Sequence, residues 1–174
     1  QEWKQSIVSR LTGGVQTLLK GNKVEMLKGE ASFVDSRTLD VQTSEGKVRI
    51  ETENVVIATG SRPIEIPGFS TSDERVIDST GALALDHIPE NLVVIGGGYI
   101  GLELGQMLNK VGCNVSVVEM QDQVLPGFDP EVVKLVARKL KKAKVNVHLK
   151  SKALGWEERE DGAVVRIETP KGEV

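Results

Sequence analysis

Cysteine and histidine are scarce in this 174-residue chain, which holds one cysteine, Cys113, and two histidines, His87 and His148. A single cysteine excludes a disulfide within the chain. Cys113 stands just before the apolar run 115–118, where a small buried side chain is expected, and it has neither a partner cysteine nor an adjacent histidine to make it a nucleophile. The two histidines lie far apart in sequence, so both are expected to be structural and no metal site is expected. Charge of one sign is not in excess either: 22 Lys and Arg stand against 25 Asp and Glu, for a net charge of −3. That balance points to neither a nucleic-acid nor a membrane-surface partner. No apolar run approaches the roughly 20 residues that a membrane span needs. The start, Gln1-Glu2-Trp3-Lys4, is neither an initiator nor a signal peptide. With 39% hydrophobic and 27% charged residues, the chain has an ordinary soluble composition and is long enough for one domain or two small ones.

Glycine is concentrated where it matters most. Gly96-Gly97-Gly98-Tyr99-Ile100-Gly101 follows the apolar run Leu92-Val93-Val94-Ile95, and a second strand-like run ends in Glu119. This is a dinucleotide-binding fingerprint. Gly96 permits a tight turn out of the strand, Gly98 lets a pyrophosphate approach the backbone, and Gly101 lets the next helix lie close on the sheet. The helix N-terminus offers free N–H groups and partial positive charge to phosphates. Glu119, eighteen positions after Gly101, is placed to accept hydrogen bonds from ribose hydroxyls. A glycine-rich turn between a buried strand and helix accounts for one glycine but not for three plus the acid. A methyltransferase-type fold also joins a glycine loop to a ribose-binding acid and stays a rival. Because Met120-Gln121-Asp122-Gln123 contains no Lys or Arg for a 2′-phosphate, NAD is expected over NADP.

Along the chain, apolar residues at helical spacing predict a helix over 1–20, weakened by Gly13-Gly14 and stopped at Gly21-Asn22. Short strands are predicted at 24–27, 32–34, 39–43 and 47–51, with turns at Asp35-Ser36-Arg37 and Glu45-Gly46, and a buried strand at 54–58. Residues 64–90, with Pro67 and Pro89 as punctuation, read as a connection. From 91 onward the pattern is strand, helix to about Lys110, strand, helix from Pro130, and a strand at 145–149. Leu102, Leu104, Met107 and Leu108 are expected to be buried on the first of these helices, and Val132, Val133, Leu135, Val136 and Leu140 on the second. A strand at 164–168 then opens a hairpin. The βαβαβ unit is short for a doubly wound domain, and the first ninety residues lack an opening strand for a parallel sheet. The chain is therefore expected to be an internal fragment of a longer polypeptide.

Three stretches together carry a resemblance: Val55-Val56-Ile57-Ala58-Thr59-Gly60-Ser61-Arg62-Pro63, Ile77-Asp78-Ser79-Thr80-Gly81-Ala82-Leu83, and Val93 through Gly105 with the glycine loop. The chain resembles the flavin-dependent disulfide oxidoreductases over essentially its whole length, and within them it is most similar to the members that oxidise dihydrolipoamide. The resemblance implies an α/β fold: residues 1–63 as the C-terminal half of an FAD-binding domain with its β-meander, 64–90 as a connection, and 91–174 as an incomplete Rossmann-type NAD-binding domain. It implies FAD contacts from the backbones of Gly29, Thr59, Gly60 and Ser61. It implies NAD contacts from Gly96, Gly97, Gly98, Tyr99, Ile100, Gly101 and Glu119, with Ala153 near the adenine. Tyr99 falls where some members place an aromatic over the flavin, and Glu103 matches the acid that pairs with a Lys beside it.

Departures from the family bound what the chain can do by itself. The N-terminal glycine fingerprint for FAD, the redox cysteine pair and the His–Glu base are all absent from this sequence, so no residue here is expected to be catalytic and the chain alone is expected to be inactive. For the full-length protein the resemblance implies electron transfer from dihydrolipoamide, carried on the lipoyl domain of a 2-oxoacid dehydrogenase complex, through a disulfide and FAD to NAD. It also implies a homodimer. The bacterial character of the resemblance and the lack of a targeting segment make the cytoplasm the expected location. A sibling such as a mercuric reductase or an NADH oxidase, and a nucleotide-binding module without activity, are the alternatives.

Overall fold

The computed structural model describes residues 1–160 and 162–174. They form two compact units, Gln1–Ser61 and Arg62–Val174.

The first unit opens with helix α1, Glu2–Gly21. It runs through Gly13-Gly14 without a break, so the intrinsic cost of two glycines is carried by the rest of a 20-residue helix. Asn22 ends it by donating both its backbone N–H and its side-chain amide to the carbonyl of Leu18. No residue of α1 is buried. A meander follows: β1 (Glu30–Phe33), β2 (Thr38–Thr43) and β3 (Gly46–Glu51), antiparallel in that order. Gly46 makes the β2–β3 turn at φ 128°, a value that suits glycine alone. Asp40 on the central strand pairs in register with Arg49 on β3 and accepts from its guanidinium at 2.8 and 3.0 Å, while Lys47 reaches the same carboxylate at 2.6 Å.

Two predicted strands in this unit are not formed. The runs 24–27 and 54–58 have the right composition, yet neither joins a ladder, and Val56 and Ile57 are 88% and 70% exposed. β-propensity describes the fit of side chains to a pleated surface; it becomes a strand only when a neighbour supplies the hydrogen bonds. Among the described residues no such neighbour exists for these runs.

The second unit places helix α2, Ser79–Ala84, inside the segment expected to be plain connection, with the Asp78 carboxylate capping it by accepting the N–H of Gly81 at 2.8 Å. Next come β4 (Asn91–Ile95), α3 (Tyr99–Lys110), β5 (Asn114–Val118), α4 (Pro130–Lys142) and β6 (Asn146–His148). The strands form a parallel sheet in the order β4-β5-β6, with Val94 opposite Val117 and Val117 opposite Val147. Val115, Val117, Cys113, Leu102, Leu108, Val133 and Leu140 form the core on this sheet. Asp129 caps α4 through the N–H of Glu131 at 2.8 Å, next to the tolerated Pro130.

Helix phase corrects the predicted burial. On α4 only Val133 and Leu140 are fully buried, while Val132 and Leu135 are 53% and 58% exposed. Positions 133, 136 and 140 recur at the three- and four-residue steps that keep one face, and 132 and 135 turn away from it. On α3, Met107 is likewise turned outward, at 42% exposure. The C-terminal part is larger than a single hairpin: β7 (Lys152–Arg159), β8 (Gly162–Thr169) and β9 (Gly172–Glu173) make a second antiparallel sheet. β7 escapes sequence reading because Glu157-Glu158-Arg159 makes it polar at its end.

Candidate dinucleotide site

The site is built at the carboxyl ends of β4 and β5, where the sheet hands the chain to α3. The N–H of Gly96 still donates to the carbonyl of Val118 at 2.8 Å, so the ladder runs one residue past β4. Gly96 then turns the chain at φ 101°, a conformation that a side chain resists. Gly98 is the N-cap of α3 and offers no side-chain cap to the helix. A Cβ placed on Gly98 would meet nothing within 4 Å. The N-terminus of α3 is therefore open at Gly98, and a helix N-terminus left open in this way can receive phosphate oxygens. At Gly101 the opposite holds, since a Cβ there would stand 2.8 Å from Val94 Cγ1 and 3.0 Å from the carbonyl of Gly96. Gly105, one turn on, repeats the close approach at 3.3 Å from Val115 Cγ1. Sequence reading assigns Gly105 no role in packing, although its four-residue step from Gly101 is the available signal.

Glu119 is 7% exposed and its carboxylate is held at both oxygens. Oε2 accepts the N–H of Gly97 and Oε1 accepts the N–H of Gln121, each at 2.7 Å. An ionised carboxylate has about four acceptor positions, so two remain for a ribose diol. Glu119 is fixed along its backbone too: its N–H donates to His148 O at 2.8 Å and its carbonyl accepts from Ser151 at 2.9 Å. The loop after β5 folds back under the glycines, with Val124 buried and the N–H of Leu125 donating to Gly97 O at 2.7 Å. Sequence reading misses Val124, Leu125, Gln121 and Ser151, and no local motif marks them. The backbone N–H of Lys150 donates to Gln121 O at 2.9 Å, tying this loop to the end of β6.

The structure thus brings together Gly96, Gly97, Gly98, Gly101 and Glu119. Tyr99 and Ile100, the first residues of α3, are 60% and 47% exposed. Glu103, also exposed, lies one turn beyond Tyr99 and shares its helix face. Ala153 is half-buried on β7, two residues past the Ser151 bond to Glu119. Gly29, Thr59, Gly60 and Ser61 belong to the first unit. A Cβ on Gly29 would fall 2.3 Å from the carbonyl oxygen of Gln42, so glycine is required there for close packing on β2. Thr59, Gly60 and Ser61 are exposed and outside any strand, with Gly60 at φ 72°.

Cys113 and His87 take no part in these contacts, whereas His148 meets Glu119 through its backbone carbonyl alone. Cys113 is 1% exposed, and burial pushes its thiol up from the ordinary range, away from nucleophilic form. His87 is exposed, with Nδ1 2.7 Å from the Asp86 carboxylate. Among the described residues no group of three or more His, Cys, Asp or Glu could hold a metal ion, and no helix is long and apolar enough to cross a membrane.

Comparison with known proteins accords with this geometry. The sequence pattern of the family described as pyridine nucleotide-disulphide oxidoreductase matches residues 2–174. The chain is 53% identical over 174 residues to a dihydrolipoyl dehydrogenase of Bacillus subtilis, covering 99% of this chain and 37% of that protein. It is 44% identical to a dihydrolipoyl dehydrogenase of Haloferax volcanii, again covering 99% of this chain and 37% of the relative. The chain therefore spans a little over a third of the length of these curated relatives. Among solved structures it is similar to a copper(II) complex of a mutant of RclA, the HOCl-induced flavoprotein disulfide reductase of Escherichia coli, with a TM-score of 0.81 and 27% identity over 99% of this chain and 39% of the other. LpdA from Mycobacterium tuberculosis shares the fold, with a TM-score of 0.83 at 22% identity over 97% of this chain and 38% of the other.

Proposed function

The chain belongs to the pyridine nucleotide-disulphide oxidoreductase family, and from that membership we propose that it is the segment of a dihydrolipoyl dehydrogenase that binds NAD and contributes to the FAD site. The observation that carries the reading is the open first turn of α3 beside a buried, doubly held carboxylate at the end of β5. One side suits a pyrophosphate and the other a ribose diol, and Gly97, the residue before the N-cap Gly98, holds the carboxylate through its N–H.

In this reading Gly96, Gly98 and the N–H groups of Tyr99, Ile100 and Gly101 hold the pyrophosphate, Glu119 accepts from the adenosine ribose hydroxyls, and the backbone around Ala153 lies along the adenine. Tyr99 and Glu103 lie towards the nicotinamide end, where Tyr99 covers the flavin and Glu103 supplies a negative charge for a Lys beside it. Gly29, Thr59, Gly60 and Ser61 contribute backbone contacts to FAD. FAD supplies the two-electron chemistry between a dithiol–disulfide couple and NAD. The residues of this chain bind and orient. The full-length protein oxidises dihydrolipoamide on the lipoyl domain of a 2-oxoacid dehydrogenase complex, as a cytoplasmic homodimer.

The test is nucleotide affinity in the full-length protein. Glu119→Ala is expected to weaken NADH binding by about tenfold or more, the loss of two charge-assisted hydrogen bonds. Glu119→Arg is expected to shift preference towards NADPH by removing repulsion of a 2′-phosphate and supplying a partner for it. Unchanged selectivity in both variants would sink the ribose assignment.

A further inference from the structure

A groove runs between α4 and the edge strand β6, away from the glycine loop, and encloses about 450 Å³. That volume lies within the range of small-molecule sites. Val145, Val147 and Leu149 line it from the strand side, and Val133, Ala137 and Leu140 from the helix. Its origin is local. β6 pairs on one side only, with β5, so α4 lies over a sheet edge, and Ala137 puts a single methyl between the larger Val133 and Leu140. Val147 and Leu149 stay half-buried as a result.

Charge is unevenly arranged around this apolar floor. Lys134 and Lys141 line the same groove two helical turns apart, about 10 Å by the helix rise. Lys134 is held by Glu131 at 2.6 Å, whereas the Lys141 ammonium is in no ion pair among the described residues. Because β5 and β6 are parallel, α4 must run back against them. Lys141 therefore lies near the start of β6, where the N–H of Val145 donates to Leu140 O at 3.1 Å. Asp122, in the loop after β5, lines the opposite end. Residues 131–144 carry six Lys and Arg against Glu131 alone, in a chain whose net charge is −3. Their field draws anions to this end of the helix.

We propose that the groove is a binding site for an aliphatic monocarboxylate, whose chain lies along Val133, Ala137, Val147 and Leu149 and whose carboxylate pairs with Lys141. The only polar side chains in the lining are Asp122, Gln123, Lys134 and Lys141, so the middle of the groove asks for an apolar body. From Pro130 to Lys141 the helix covers about 16 Å, room for an extended chain of roughly ten carbons. Asp122 repels a carboxylate from one end and Lys141 attracts it to the other, which fixes the direction of the ligand. Burial of the chain supplies most of the affinity, about fourfold for each CH₂. The exposed ion pair adds less and decides the sign of the head group.

The test is titration calorimetry on the full-length, flavin-loaded protein with decanoate, octanoate and decylamine. Decanoate is expected to bind about tenfold more tightly than octanoate, for two further buried CH₂ groups, and decylamine is expected not to bind measurably. Ala137→Phe, which fills the middle of the groove, is expected to weaken decanoate at least about tenfold. Lys141→Gln is expected to weaken it about fivefold, as for an exposed ion pair. Both variants should keep the kcat and KM for NAD of the wild type. Absence of decanoate binding would overturn the proposal, and so would equal binding of decanoate and decylamine. Equal affinity for octanoate and decanoate would mean that the basic end of α4 holds any anion, and would overturn it too. Displacement of decanoate by saturating NADH would make the groove part of the nucleotide site. Binding to phosphatidylglycerol vesicles that Ala137→Phe leaves unaltered, without capture of free decanoate, would make α4 a membrane-facing surface instead. Each of these results leaves the NAD reading intact, because that reading stands or falls on Glu119. Should Ala137→Phe fail to fold, the chain-length series and Lys141→Gln decide the matter, since Lys141 is exposed and outside the core.

Discussion

Gly101 and Val94 touch across the first turn of α3 so closely that a Cβ on the glycine would lie 2.8 Å from the valine Cγ1. The carbonyl of Gly96 closes the other side at 3.0 Å. The helix N-terminus is therefore brought down to the sheet edge by the absence of one methyl group, and the N–H groups of its first turn are placed by that contact. Gly101→Ala is expected to destabilise the protein by about 1–3 kcal/mol through overpacking. Urea unfolding of the variant gives the number. Combining it with Val94→Ala should recover part of the loss, and strict additivity of the two changes would show that the contact does not carry the strain.

Gly29 predicts a sharper effect in the first unit. Its virtual Cβ meets a backbone oxygen, Gln42 O, at 2.3 Å, and a strand backbone cannot rotate away as a side chain can. Gly29→Ala is expected to cost more than Gly101→Ala and to displace the segment before β1 from β2. Protease susceptibility of the 24–30 segment, compared between variant and wild type, reads this out.

Acid sensitivity in the meander should trace to Asp40. The Arg49 guanidinium, and after it the Lys47 ammonium, hold its carboxyl well below the usual carboxylate range. A pKa lowered on folding stabilises the native state above the unfolded value of about 4 and is lost progressively as pH falls below that. Asp40→Asn is expected to be less stable than wild type at neutral pH, and the gap should narrow steadily below about pH 4. A constant difference in urea midpoint between pH 3 and pH 7 would rule Asp40 out as the source.

Cys113 should be chemically silent in the native protein. It is 1% exposed in the core, and burial disfavours its thiolate. Alkylation followed by peptide mass analysis is expected to label Cys113 only after denaturation. Labelling at native pH 8 on the timescale of exposed thiols would show that the β5 end of the core opens readily.

Much of the site could be read locally. The glycine loop, the helix that follows and the acid at the end of the next strand sit within thirty residues, and each obeys a short-range rule. The βαβαβ order was legible for the same reason: strand runs of β-branched residues alternate with helical periodicity, capped by Asp129-Pro130 and stopped at Gly112. Burial on α4 was less legible, because Val132 and Leu135 are apolar residues on a face that the core does not reach.

The sequence by itself determined that this chain turns a strand into a helix through a nucleotide-type glycine loop and follows it with an acid, because those features depend on backbone freedom and spacing along a few residues. Only the tertiary structure decided how the acid is aimed. Gly97 and Glu119 are 22 positions apart, and their hydrogen bond forms because β4 and β5 lie side by side and deliver both residues to the same sheet edge. Tertiary structure likewise decided which apolar runs become strands. The run 115–118 finds partners on both sides, whereas 24–27 and 54–58 find none among the described residues, and a ladder requires two strands whatever the composition of one.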